Sequence, residues 1–407
     1  MSDVNRVVVT GLGAVTPLGH TAATYWANLK QGVNGIGPIT LAATPEELTQ
    51  KVAAEVKDFD PLKHFEERQL STLDRVSQFA VVAAREAIAQ AAITFDMPLS
   101  LRTATIIGTG VGGQTTLDES FRRIYLEKKS RVFPLTIPKL MVNAPASQIS
   151  VFCGLRGASF AVASACASAT HAIGLAFPML RSGAVDCAVT GGAEACITFG
   201  TLRGWEAMRV MAPDTCRPFS IDRKGLVLGE GAAMLVLEPL ERARARGAQI
   251  LGEIVGFGMS ADAADLTAPD QGGMTRAMEG ALADGKLAVQ NIQYINAHGT
   301  GTAANDATET QALHRVFGAH AGKLAVSSTK SMVGHALGAA GALEMVATLL
   351  AVREAIVPPT IGYLGPDPAC DLDYVPNEAS ALTIGAALSN SFAFGGLNAV
   401  LAVKKFS

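Results

Sequence analysis

Arg6-Val7-Val8-Val9-Thr10-Gly11-Leu12-Gly13 and Leu251-Gly252-Glu253-Ile254-Val255-Gly256-Phe257-Gly258 open two stretches of this chain in the same way, with an apolar run closed by Gly-x-Gly. Such runs read as buried strands, and the glycines after them read as tight turns. The parallel continues in order along the chain. Residues 104–107 lead into Gly108-Thr109-Gly110, as residues 294–297 lead into a turn at Gly299-Thr300-Gly301. The small-residue segments 163–172 and 334–341 each run into a helix, and the strand-like residues 185–190 and 386–390 are each followed by a glycine pair. Four features recurring in one order indicate a duplication, with one half at residues 1–250 and the other at 251–407, meeting near the charged stretch 237–251. Helical periodicity fills the intervals, as over residues 74–93. Strands alternating with helices predict an α/β fold around a largely buried sheet. No flexible linker separates the halves, so they should pack as one body.

Composition narrows the function. Of 407 residues, 49% are apolar and 17% charged, which supports deep burial and excludes disorder. The net charge of −3, without a basic block, argues against a nucleic-acid partner. No run of about 18 uncharged apolar residues is present, so no membrane span is expected. The N-terminal residues lack a basic region followed by an apolar stretch, from which a cytoplasmic location is expected. The six cysteines form no CxxC pair and read as free thiols.

The first Gly-x-Gly is no dinucleotide site. Its third glycine is missing, Pro17 interrupts the helix that should follow, and no acidic residue ends a second strand at the required distance. Cys166 is more informative. It stands in Ala163-Ser164-Ala165-Cys166-Ala167-Ser168-Ala169, just ahead of the helical residues 171–180. Small neighbours leave a thiol uncrowded, and a helix N-terminus should lower its pKa, so Cys166 is a nucleophile or else a buried structural cysteine. His298 ends a strand beside a glycine-rich turn, the usual place for chemistry in α/β folds. Lys330 and His335 lie five residues apart in an apolar stretch, where Lys330 needs a partner and Glu344 is the nearest. Their spacing matches no zinc pattern, so no metal site is expected. Phe392 and Phe394 stand beside Gly395-Gly396 and read either as a hinged apolar gate or as ordinary core on a strand.

One cysteine, two histidines, a lysine and a Phe-Gly-Gly turn in this order resemble the β-ketoacyl-acyl carrier protein synthases, elongating condensing enzymes of the thiolase superfamily. The likeness runs nearly end to end: VTGLGAVTPLG, GLRGAS, SACAS, GGAEA, CRPFS, GLVLGEGAAMLVLE, NAHGTGT, STKSMVGHALGAAGALE, VPPTI and NSFAFGGLN. It implies a thiolase-like fold, two duplicated halves in a five-layered αβαβα core. It also implies an active homodimer, or a heterodimer with a chain-length factor, and an acyl carrier protein as partner. No metal or organic cofactor is implied, because phosphopantetheine arrives on the carrier. Cys166 resembles the nucleophile that accepts the acyl chain. His298 and His335 resemble the pair that steers malonyl decarboxylation, and Lys330, with Glu344, the lysine that orders them. The backbone N–H groups of Cys166 and Phe394 resemble an oxyanion hole. Thr300 and Thr302 look like contacts to the pantetheine arm, Phe392 and Phe394 like gating aromatics, and Val111 like a side chain limiting the acyl pocket.

Some positions depart from the family pattern. Leu397 replaces a usual threonine, and Asp265 stands where histidine is frequent near the pantetheine entrance. The carrier-docking stretch reads Glu66-Glu67-Arg68, weak in positive charge, which leaves Arg122, Arg123, Lys128, Lys129, Arg131 and Arg209 as docking candidates. These changes permit a specialised polyene or polyketide role beside fatty-acid elongation. A non-catalytic chain-length factor is the alternative reading, and the retained cysteine and histidines argue against it. Thiolase chemistry is disfavoured because Phe392 and Phe394 stand where thiolases carry a second cysteine.

Overall fold

The computed structural model describes residues 5–406. Its large sheet has ten strands: β1 (Val7–Val15), β2 (Thr103–Gly108), β3 (Ser159–Val162), β4 (Cys187–Glu194), β5 (Gly231–Pro239), β6 (Gly252–Ala261), β7 (Ile292–Asn296), β8 (Ala325–Ser327), β9 (Ala386–Ala393) and β10 (Leu397–Lys404). Their order is β8-β7-β9-β10-β6-β1-β5-β4-β2-β3. Read outward from the middle, the strands run 1-5-4-2-3 on one side and 6-10-9-7-8 on the other, so the same leaf is built twice. Directions repeat as well. β2 is parallel to β3 and β4, as β7 is to β8 and β9, while β5 and β10 each run antiparallel to both neighbours. The strands of the two leaves pair where Val7, Val8 and Val9 meet Ile254, Glu253 and Gly252.

Five helices complete the layers: α1 (Arg75–Ala91), α2 (Ser168–Arg181), α3 (Gln271–Asp284), α4 (Ala303–Phe317) and α5 (Ala340–Glu354). α1 covers the outer face of the first leaf and α3, with α4 beside it, that of the second. α2 and α5 touch strands of both leaves and form the central layer. Residues 340–352 of α5 are all buried, as expected of a helix apolar around its whole circumference. The result is the five-layered αβαβα arrangement.

The structure corrects the reading of the glycines. β1 does not end at Gly11 but runs on to Val15, with a register shift between Val9 and Gly11. A Cβ at Gly11 or Gly13 would strike the carbonyls of Ala87 and Ala83 on α1, and one at Gly256 or Gly258 those of Ala281 and Ala277 on α3. These glycines therefore set the close approach of helix to strand, the same way in both halves. Gly191 and Gly192 likewise lie inside β4. The charged stretch between the halves is less exposed than its composition implies, since Glu238 is buried and paired with Arg246 at 2.6 Å. Among the described residues, no helix is long and apolar enough to cross a membrane.

Candidate active site

Cys166 sits in the short 3-10 turn Ala165–Ala167 that leads from β3 into α2. Ala165 has a φ of +48°, a left-handed conformation unfavourable for a residue with a Cβ. Ser168 holds it there: its hydroxyl donates to the Ala165 carbonyl at 2.7 Å and accepts the Ser164 N–H at 2.8 Å. The elbow carries Cys166 to the head of α2, where the backbone N–H groups of Phe394 and Cys166 and the charge of Lys330 all favour thiolate. Burial outweighs them and pushes the thiol up to about 11, which overturns the expectation of a lowered pKa.

His298 follows the end of β7, and His335 follows the helical turn Lys330–Val333. Their rings meet edge to face with centroids 5.4 Å apart. The Cys166 sulfur and the two imidazoles come within 4.8 Å of one another, a grouping no linear spacing could reveal. Such a trio could also hold a soft metal, but the buried Lys330 ammonium beside it opposes a second cation. Lys330 Nζ donates to the His298 carbonyl at 2.6 Å, lies 3.3 Å from His298 Nδ1 and pairs with Glu344 of α5. An ammonium against Nδ1 makes that nitrogen an acceptor and leaves the proton on Nε2. Burial, and then the charge of Lys330, hold both imidazoles well below their usual range, so both are neutral.

Two acids that the sequence reading passed over fix this constellation. Glu309 of α4, fully buried, accepts the N–H groups of His298 at 2.9 Å and Gly299 at 2.8 Å. Asp306, one turn earlier, accepts those of Gly301 at 3.2 Å and Phe219 at 2.7 Å. The available signal was an acid pair three apart on the face of α4 that also carries Thr310 and Leu313 into the core.

A cavity of about 110 Å³ opens onto Cys166, His298 and His335 and is lined by Thr300, Thr302, Phe392 and Phe394. The two threonine hydroxyls lie 2.9 Å apart, and the Thr302 hydroxyl also caps α4. Trp205, which the sequence reading also missed, stacks on Phe394 with centroids 5.9 Å apart. The structure does not bring Val111 into this group. Within one chain it does not line the cavity, and its side chain is 39% exposed. Asp265 is exposed in a loop tied to the Phe-Gly-Gly turn, the Gly395 N–H donating to the Leu266 carbonyl at 2.7 Å. Lys128, Lys129 and Arg131 are exposed beyond the helix Gln114–Tyr125. Arg209, also exposed, ends the helix Phe199–Met208, which meets the former through Gly200 and Asp118.

The family described as "Beta-ketoacyl synthase, N-terminal domain" matches residues 4–243, and "Beta-ketoacyl synthase, C-terminal domain" matches residues 251–364. The chain belongs to the β-ketoacyl synthase family. It is an acyl-transferring condensing enzyme. Among its relatives, nodulation protein E of Rhizobium sp. (strain N33) is 49% identical over 400 residues, covering 98% of this chain and 99% of the relative. The 3-oxoacyl-[acyl-carrier-protein] synthase 2 of Synechocystis sp. is 44% identical over 413 residues, covering 99% of each. Two solved structures are also similar. The first is a chain of the ishigamide ketosynthase/chain length factor, with a TM-score of 0.94, 36% identity, and coverage of 99% of this chain and 100% of that one. The second is a chain from a type II polyketide acyl-carrier protein in complex with its ketosynthase bound to the hexaketide, with a TM-score of 0.89, 30% identity and the same coverage.

Proposed function

We propose that this β-ketoacyl synthase condenses an acyl chain held on Cys166 with malonyl-acyl carrier protein, in fatty-acid elongation or a related type II polyene or polyketide pathway. The observation that carries the reading is the convergence of one thiol and two neutral imidazoles in a single buried cavity. The Cys166 sulfur attacks the carrier-bound thioester, the new S–C bond replaces the old, and the carrier thiol leaves with the proton. Malonyl-carrier then loses CO2, and the electron pair of the broken C–C bond passes into an enolate. The Nε2–H of His298 and an N–H of His335 face that developing charge in a site shielded from water, where fixed donors act most strongly. The enolate carbon attacks the acyl thioester, whose oxygen is received by the N–H groups of Cys166 and Phe394, and Cys166 leaves as thiolate. Burial, and then the charge of Lys330, keep the imidazoles neutral. Thiol and imidazole suffice for these steps, and phosphopantetheine enters with the substrate. Retention of Cys166 and both histidines supports a catalytic chain over a chain-length factor.

The proposed assembly is a homodimer. Strand β3 ends the sheet with Phe160 exposed, and Tyr125, Leu126, Phe133 and Ile137 form further exposed apolar surface nearby in the chain. An open sheet edge and so much apolar surface fit a second copy, which would also enclose Val111 as a pocket wall.

Intact-mass measurement tests the reading. Wild type should gain one acyl group at Cys166 from acyl-carrier and release CO2 from malonyl-carrier, while Cys166→Ala should gain none. His298→Ala and His335→Ala should still acylate but lose roughly 100- to 1000-fold in decarboxylation. An adduct on another cysteine, or equal loss of both half-reactions in the histidine variants, would overturn the assignment.

A further inference from the structure

Because the two leaves repeat, the Cys166 elbow and the strand end beside it have counterparts in the other half. Gly13 and Gly258, which admit α1 and α3 in the same way, stand opposite Met234 of β5 and Val400 of β10. Counting along those strands, Gly231 corresponds to Leu397, and their partners Glu194 and Ala393 correspond in turn as the last residues of β4 and β9. The elbow is duplicated too. Ala165, at φ +48°, precedes Cys166 at the head of α2, and Leu337, at φ +41°, precedes Gly338 at the head of α5. Gly338 is thus the counterpart of Cys166, and its N–H the counterpart of one oxyanion-hole donor.

The two sites are finished differently. At the first, Ala393 is small and helps line an open cavity. At the second, the fully buried Glu194 reaches in. One carboxylate oxygen accepts the N–H groups of Gly110 at 2.6 Å and Gly338 at 2.9 Å, and the other takes the Thr109 hydroxyl at 3.0 Å and the Val111 N–H at 3.3 Å. Burial pushes this carboxyl up to about 7 against the pull of all four donors. The duplicated pocket is filled by the protein's own carboxylate, at a helix head where negative charge is favoured.

Gly338 lies three residues beyond His335, with the left-handed Leu337 between them. A non-glycine residue keeps such a conformation only where its surroundings over-determine it. We propose that Glu194, by occupying the duplicated pocket and tying Gly338 to the turn 109–111, is a positioning residue that holds His335 against Cys166. The proposal rests on the condensing mechanism above. It assigns Glu194 to the decarboxylation half-reaction, which uses His335, and not to the acylation of Cys166.

Replacements at this one position test it. In Glu194→Gln the amide oxygen can still receive Gly110 and Gly338 while its nitrogen donates to the Thr109 hydroxyl and gives up only the long 3.3 Å contact from the Val111 N–H, so both half-reactions should stay within threefold of wild type. Glu194→Met fills similar space without an acceptor. It should lose at least tenfold in the kcat of malonyl-carrier decarboxylation, with KM and the rate of Cys166 acylation each changed less than threefold. If Glu194→Met does not give a folded protein by circular dichroism and gel filtration, Glu194→Asp takes its place. It keeps the charge but withdraws it from Gly338 by one methylene, and the same split is expected. Unchanged decarboxylation in the folded variant, equal loss of both half-reactions, or failure of all three variants to fold would overturn the proposal. A wild type that neither acylates nor decarboxylates would instead overturn the mechanism, and this inference with it.

Discussion

A thiol at the head of a helix is pulled two ways. The helix dipole is worth about 0.3–1 kcal/mol at exposed sites, whereas Cys166 is almost fully enclosed and burial is the largest influence on it. The raised pKa means that the thiolate fraction keeps climbing well past the range where an exposed cysteine has levelled off. Alkylation of Cys166 by iodoacetamide, followed by peptide mass spectrometry, should therefore accelerate close to tenfold per pH unit between pH 8 and 10. A plateau near pH 8.5 would show that the dipole and neighbouring donors win. Cys166, His298, Lys330 and His335 stand out as candidates because each lies among small residues, but local context leaves Cys166 between nucleophile and core cysteine, and the roles come from the family resemblance. Glu309, Asp306 and Glu194 do not stand out. An acid on a helix or at a strand end looks like a surface residue until the fold shows it receiving backbone N–H groups from elsewhere in the chain.

Elements were easier to locate than to delimit. The apolar runs of β1 and β6 are plain in the sequence, but Gly11 and Gly256 read as stops, because glycine permits a turn and also permits another backbone to come close, and the sequence does not distinguish the two. The structure chooses close approach, with a measurable consequence. Gly11→Ala or Gly256→Ala forces a methyl group against a helix carbonyl, so α1 or α3 must shift, at a cost of about 1–3 kcal/mol by analogy with other overpacked sites. Each variant should melt several degrees below wild type in a thermal scan. An unchanged melting temperature in both would mean that the helices have room to move. Gly154, where a Cβ would meet nothing within 4 Å, supplies the control for space, although its positive φ carries a separate strain.

At the scale of the whole molecule, the duplication was legible because features recurred in order, and the mirrored strand order shows why: each leaf is a complete five-stranded unit. The proposed carrier-docking face depends on which helices come together. The net charge is −3, yet Lys128, Lys129 and Arg131 cluster in one exposed segment, suited to an acidic carrier. Such contacts act mainly on encounter. Charge reversal at Lys129 or Arg131 should raise the KM for carrier-bound substrate several-fold, more at low salt than at high, while kcat with a small pantetheine thioester stays the same. Equal damage with both substrates would place the effect in the site and not on the surface.

The central layer bears on how the chain is made. α5 packs against strands of the first leaf, yet it lies at residues 340–354, far beyond the last strand of that leaf in the chain. When residue 250 leaves the ribosome, every strand of the first leaf is present, but the apolar face awaiting α5 is bare. At translation speeds of 5–20 residues per second, that face waits on the order of ten seconds for its cover. For that interval the nascent chain is a natural client for chaperones that shield apolar surface, and any truncation ahead of α5 leaves that need permanent.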